Sequence, residues 1–135
     1  MMAAHAQLNW THGAQFVARA DQAPAILLDN PEGGSGPSPM QLVLMGVAGC
    51  TAMDVVSILQ KKRVNFSGLQ INITGERADD HPRRYTRIAI EFVVTGRDIK
   101  EKDVERAIEL SLTKYCSASA SVNAEIASSF RIIAA

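Results

Sequence analysis

Two cysteines, Cys50 and Cys116, are the only thiols in the sequence. A thiol pair offers three kinds of chemistry: a structural bridge, a reactive or redox-active thiolate, or a soft metal ligand set. Two cysteines are too few for a disulfide scaffold and for a zinc site built mainly from thiolates. The three histidines, His5, His12 and His81, are scattered, and neither Cys-x-x-Cys nor His-Glu-x-x-His occurs. No metal and no cofactor are therefore expected, and a papain-like Cys–His pair has no local support.

The context of each thiol is informative. Cys50 lies in Gly46-Val47-Ala48-Gly49-Cys50-Thr51, inside a stretch with no charged residue from Gly33 to Met53. Glycines at 46 and 49 each cost about 1 kcal/mol against alanine within a helix, so they imply close packing or access around the thiol. Cys116, in Lys114-Tyr115-Cys116-Ser117, falls at a helix boundary. Free N–H groups of a following short helix, with Lys114 nearby, should favour its thiolate. The plainer alternative for both is that of a small buried hydrophobe.

Other candidates fade on inspection. Arg83, Arg84 and Arg87 face Asp79 and Asp80 in the same connection and read as a solvated sheet edge. Gly33-Gly34-Ser35-Gly36 lacks the Gly-Lys-Ser/Thr ending of a phosphate loop and reads as a helix entry.

Composition narrows the setting. The chain has 135 residues, with 14 Lys plus Arg against 14 Asp plus Glu, 47% hydrophobic and 21% charged. That suits a single domain over 1–135 and is too apolar for disorder. Zero net charge removes the bulk attraction of sequence-independent nucleic-acid binding. The N-terminal residues have neither a basic nor an apolar leader region. The apolar run Met40–Met53 is shorter than the roughly 20 residues of a membrane span. A cytoplasmic protein without nucleic-acid or membrane partners is expected, its cysteines starting as thiols.

The elements that must position these thiols follow from periodicity. Gln7–Thr11 and Gln15–Arg19 alternate as a hairpin about His12-Gly13, and Ala25–Leu28 suggests a third strand. Asp29–Pro37 is a loop. Ser38-Pro39 then opens a long helix predicted to reach Arg63, with Ser38 as N-cap. Because its first half is apolar on every face, burial all round is expected, and a second copy of the chain would supply it. Two strands follow, about Leu69–Ile73 and Tyr85–Val94. A helix over Lys100–Tyr115, a short helix after Cys116 and a closing strand over Ile126–Ile133 complete an α+β pattern.

These motifs resemble the osmotically inducible protein C (OsmC) and organic hydroperoxide resistance family, and specifically its OsmC-like subgroup. The residues that carry the likeness are Gly36-Pro37-Ser38-Pro39-Met40-Gln41-Leu42, Gly49-Cys50-Thr51-Ala52-Met53-Asp54, Gly75-Glu76-Arg77, His81-Pro82-Arg83, Val104–Ile108 and Lys114-Tyr115-Cys116. The resemblance implies antiparallel sheets wrapped around a long central helix in an intertwined homodimer, with active sites at the dimer interface. It also implies a stress-response peroxidase in which Cys50 attacks an organic hydroperoxide and Cys116 resolves the sulfenic acid, a dithiol then reducing the disulfide. The family's peroxidases carry a glutamate near the central helix start that orients an arginine toward the reactive sulfur. Here the corresponding positions are Met40 and Gln41, and Leu28 and Asp29 stand where the OsmC type has its arginine. Arg19 lies nearer the hydroperoxide-resistance type's arginine and is the candidate to replace it. The alternative function is a non-peroxidatic homodimer that binds an apolar small molecule or partner, its cysteines only redox-sensing or structural.

Overall fold

The computed structural model describes residues 3–135. Two compact units, Met1–Val43 and Leu44–Ala135, divide within the long helix.

In the first unit β1 (Ala6–His12), β2 (Gln15–Ala20) and β3 (Ile26–Leu28) form an antiparallel sheet in that order. Gly13 turns the hairpin at a φ of 55°, and its carbonyl accepts the Trp10 indole N–H at 2.8 Å. The loop after β3 is organised by Asp29, whose carboxylate accepts from the Asn30 N–H and from both the N–H and the hydroxyl of Ser35. The Ser35 hydroxyl, then the Asn30 amide, hold this carboxyl below its ordinary range. A side chain at Gly36 would collide with the Leu27 carbonyl, so this glycine serves close chain packing rather than a phosphate. Helix α1 (Pro39–Lys61) then starts with a reciprocal cap. The Ser38 N–H donates to Gln41 Oε1 at 2.9 Å, and the Gln41 N–H donates to Ser38 Oγ at 3.2 Å.

In the second unit β4 (Phe66–Arg77), β5 (Tyr85–Gly96) and β6 (Glu125–Ala134) form a sheet in that order. The expectation of antiparallel sheets needs correcting here. β4 and β5 are antiparallel, but β6 runs parallel to β5 because the chain crosses over through helices before returning. That crossover comprises α2 (Glu101–Leu110), a π-helical turn (Ser111–Tyr115) and α3 (Ser117–Ala120). The regular helix predicted over Lys100–Tyr115 thus changes pitch at Ser111. The core is built from alternate β5 residues Ile88, Ile90, Phe92 and Val94, together with Val104, Ala107 and Ile108 of α2. Val47, Thr51, Val55 and Leu59 supply a stripe from α1, each four residues from the next.

Burial of α1 is confined to that stripe within a single chain. On the opposite face Met45 and Met53 are 55% and 75% exposed. The helix predicted to reach Arg63 ends at Lys61, and its apolar residues continue past Asp54, beyond the Met40–Met53 run. With 23 residues, and a mean hydropathy of 2.0 over its most apolar 18-residue window, it is long and apolar enough, by length and composition alone, to cross a membrane.

Candidate functional site

Cys50 is half-buried in the middle of α1, and helical geometry sets Asp54 one turn further along the same side. Cys116 occupies the extended residue between the π turn and α3 and is 4% exposed. The Sγ atoms of Cys50 and Cys116 and a carboxylate oxygen of Asp54 all lie within 4.8 Å of one another. The two sequence-predicted thiols therefore meet, although 66 positions separate them.

The π turn makes the meeting possible. The Cys116 N–H donates to the Ser111 carbonyl at 2.7 Å, five residues back, which widens the turn and releases Cys116 from helical geometry. Ser111 itself points inward, and its hydroxyl donates to Asp54 Oδ2 at 2.8 Å. Because a hydroxyl has one proton, the 2.7 Å bond between Ser111 and Thr51 must have Thr51 as donor. The result is a directed chain, Thr51 to Ser111 to Asp54, that ties α1 to the π turn and fixes the carboxylate beside the thiols.

Cys116 caps α3 as expected, its sulfur accepting the Ser119 N–H at 3.4 Å. The expected consequence is reversed, however. Burial pushes the Cys116 thiol above its ordinary pKa of 9.0, and the nearby Cys50 adds to this, while the Ser119 hydrogen bonds only partly offset it. A helix of four residues offers too little field to repay desolvation of the thiolate. Lys114 stands 5.3 Å from the Tyr115 ring centroid, in a cation–π contact with its own neighbour.

Arg19 is exposed on β2, opposite Gln7, in the N-terminal unit. Arg87 is engaged by Glu125 at 3.2 Å, but it lies on β5, the central strand of its sheet, paired with Glu76 on one side and Glu125 on the other, so the expected sheet-edge position does not hold for it. A cavity of about 370 Å³ is lined by Asp54 together with Ile58, Lys61, Lys62, Leu110 and Tyr115. Lys62 lies 3.8 Å from Asp103.

Ser111 and Ser119 lie outside every motif, and Thr51 and Asp54, although within the Gly49–Asp54 stretch that carries the family likeness, receive no site role from it. One signal was available for Asp54: it is the first charge after the uncharged window and sits four residues from Cys50. The expectation that metal ligands are lacking rested on local spacing, whereas this cluster joins two distant segments.

A family model described as OsmC-like protein matches residues 32–130. Protein YhfA of Escherichia coli K12 is 41% identical over 132 residues, covering 96% of this chain and 98% of that protein. Among solved structures, a hypothetical protein from Aquifex aeolicus VF5 aligns with a TM-score of 0.91 at 29% identity, over 100% of this chain and 99% of that one. An OsmC-like protein from Mycoplasma pneumoniae aligns with a TM-score of 0.84 at 18% identity, over 98% of each chain, a likeness of fold.

Proposed function

From the premise that the chain belongs to the OsmC-like protein family, we propose that it is a cytoplasmic thiol peroxidase that reduces organic hydroperoxides through Cys50 and Cys116. The single observation that carries this reading is the approach of the two sulfurs to within 4.8 Å. A disulfide of about 2.05 Å requires the two sulfurs to close from within that distance. The Cys50 thiolate attacks the terminal peroxide oxygen; the O–O bond breaks, leaving a Cys50 sulfenic acid and an alkoxide that takes a proton from solvent and departs as the alcohol. The Cys116 sulfur then attacks the Cys50 sulfur, the S–S bond forms and water leaves. A small dithiol returns both cysteines to thiols by exchange.

The half-buried position of Cys50 leaves it accessible while Cys116 stays protected, which suits the first as attacking group and the second as resolving group. Arg19 is assigned the part of orienting the reacting sulfur and peroxide, by likeness to the family's arginine. The exposed Met45 and Met53 support a homodimer in which a second copy covers this face of α1. A second reading is favoured by the cavity beside Asp54, whose Ile58, Leu110 and Tyr115 suit an apolar small molecule. In that case the dimer is a binding protein and the thiols sense redox state.

Sub-stoichiometric cumene hydroperoxide separates the two. The peroxidase reading expects an intramolecular Cys50–Cys116 disulfide by mass spectrometry, and peroxide consumption that Cys50→Ser abolishes and Arg19→Ala slows. No bridge, with Cys50→Ser consuming peroxide as the wild type does, would rule the enzyme out.

A further inference from the structure

The thiol pair has a third neighbour of ligating chemistry that a disulfide cycle does not require. Asp54 brings an oxygen donor to within 4.8 Å of both sulfurs, and Ser111 uses only one of the several lone-pair positions of its carboxylate. In a tetrahedral zinc site, metal–sulfur bonds of about 2.3 Å and metal–oxygen bonds of about 2.1 Å place donor atoms about 3.6–3.8 Å apart. Closing the present cluster to that size takes about 1 Å of movement or less, within reach of side-chain rotation. The surroundings are also those of a held ligand set, with Ser111 donating to Asp54 and the Ser119 N–H donating to the Cys116 sulfur.

We propose that Cys50, Cys116 and Asp54 form a three-ligand site for a thiophilic divalent cation of the zinc class, available in the reduced protein and abolished by the disulfide. Two sulfur donors and one carboxylate select zinc-like ions over magnesium or calcium, which take oxygen ligands. Binding releases the two thiol protons, and the dication then offsets two of the three ligand charges. Three protein ligands leave a fourth position for solvent, as in open rather than closed zinc sites. Half-burial of Cys50 and Asp54 leaves a way in. The metal and an oxidant compete for the same sulfurs, so occupancy protects the pair from oxidation. This inference rests on the cluster alone and holds whether or not the protein turns over hydroperoxides.

The test is a Co2+ titration of the reduced full-length chain. One Co2+ per chain should bind with a thiolate-to-cobalt charge-transfer absorption, and Zn2+ should displace it. Cys50→Ser and Cys116→Ser should each abolish the absorption. Asp54→Asn should weaken binding at least tenfold, and Ser111→Ala about tenfold, as loss of an outer-shell partner does. Circular dichroism verifies that each variant is folded. Wild type oxidised with diamide, which closes the disulfide without peroxide, should take up no Co2+. No charge-transfer band in the reduced wild type overturns the proposal. So does a band retained in a folded cysteine variant, unchanged affinity in Asp54→Asn, or uptake by the disulfide form. A protein inert to cumene hydroperoxide that still binds Co2+ through its thiols sinks the peroxidase and leaves the metal site standing.

Discussion

The hydroxyls of Thr51 and Ser111, 60 positions apart, share a buried 2.7 Å hydrogen bond that joins the long helix to the π turn. Both residues are fully buried, and no buried side-chain polar atom among the described residues lacks a partner. The bond therefore belongs to a satisfied polar network, in which deleting one member strands another.

Ser111→Ala leaves the Thr51 hydroxyl buried without its acceptor and frees Asp54. We expect a loss of about 1–3 kcal/mol in urea unfolding. Adding Thr51→Val removes the stranded group, so the double variant should be less destabilised than the sum of the two singles. Additive effects would show that the two hydroxyls are not coupled.

The raised pKa of Cys116 predicts a stability loss on the alkaline side. Burial favours the neutral thiol in the folded state, so the unfolded chain gives up this proton first as pH rises. Stability from this group is complete below the ordinary thiol value of 9.0 and declines as pH climbs past it. Thermal melts of the reduced protein between neutral pH and pH 10 or so should show a fall that Cys116→Ala diminishes. An equal fall in the variant would assign it to other groups.

Gly49 reports on what covers α1. A Cβ at Gly49 or Gly46 would meet nothing within 4 Å in the single chain. By helix propensity alone Gly49→Ala should stabilise by about 1 kcal/mol. Met45, Gly49 and Met53 fall at i, i+4 and i+8 on one face, and a second copy seated there would meet the added methyl. Sedimentation equilibrium should show Gly49→Ala self-associating more weakly than wild type despite its better helix. A concentration-independent monomer in the wild type would remove the dimer from the proposal.

Much of the fold is legible along the chain because local physics decides it. Alternation marks β1, β2, β4 and β5, a short apolar run marks β3, and Ser38-Pro39 with Gln41 sets the start of α1 through a cap whose partners are three residues apart. The same holds for the Gly33–Gly36 loop, where Asp29, Asn30 and Ser35 bond within six residues of one another. The direction of β6 was not legible, since strand periodicity is the same for parallel and antiparallel neighbours.

What the sequence determined alone is the pair of thiols, their family context and the helix that carries Cys50. What only the tertiary structure decided is their neighbourhood. Packing brought Ser111 against Thr51, the π turn delivered Cys116 to Cys50, and Asp54 became their shared neighbour. It also reversed the expected acidity of Cys116, because burial is a property of the whole fold and a helix boundary is not. Residue types set which reactions a pair of thiols can enter; distance and desolvation, which the chain acquires only on folding, select among them.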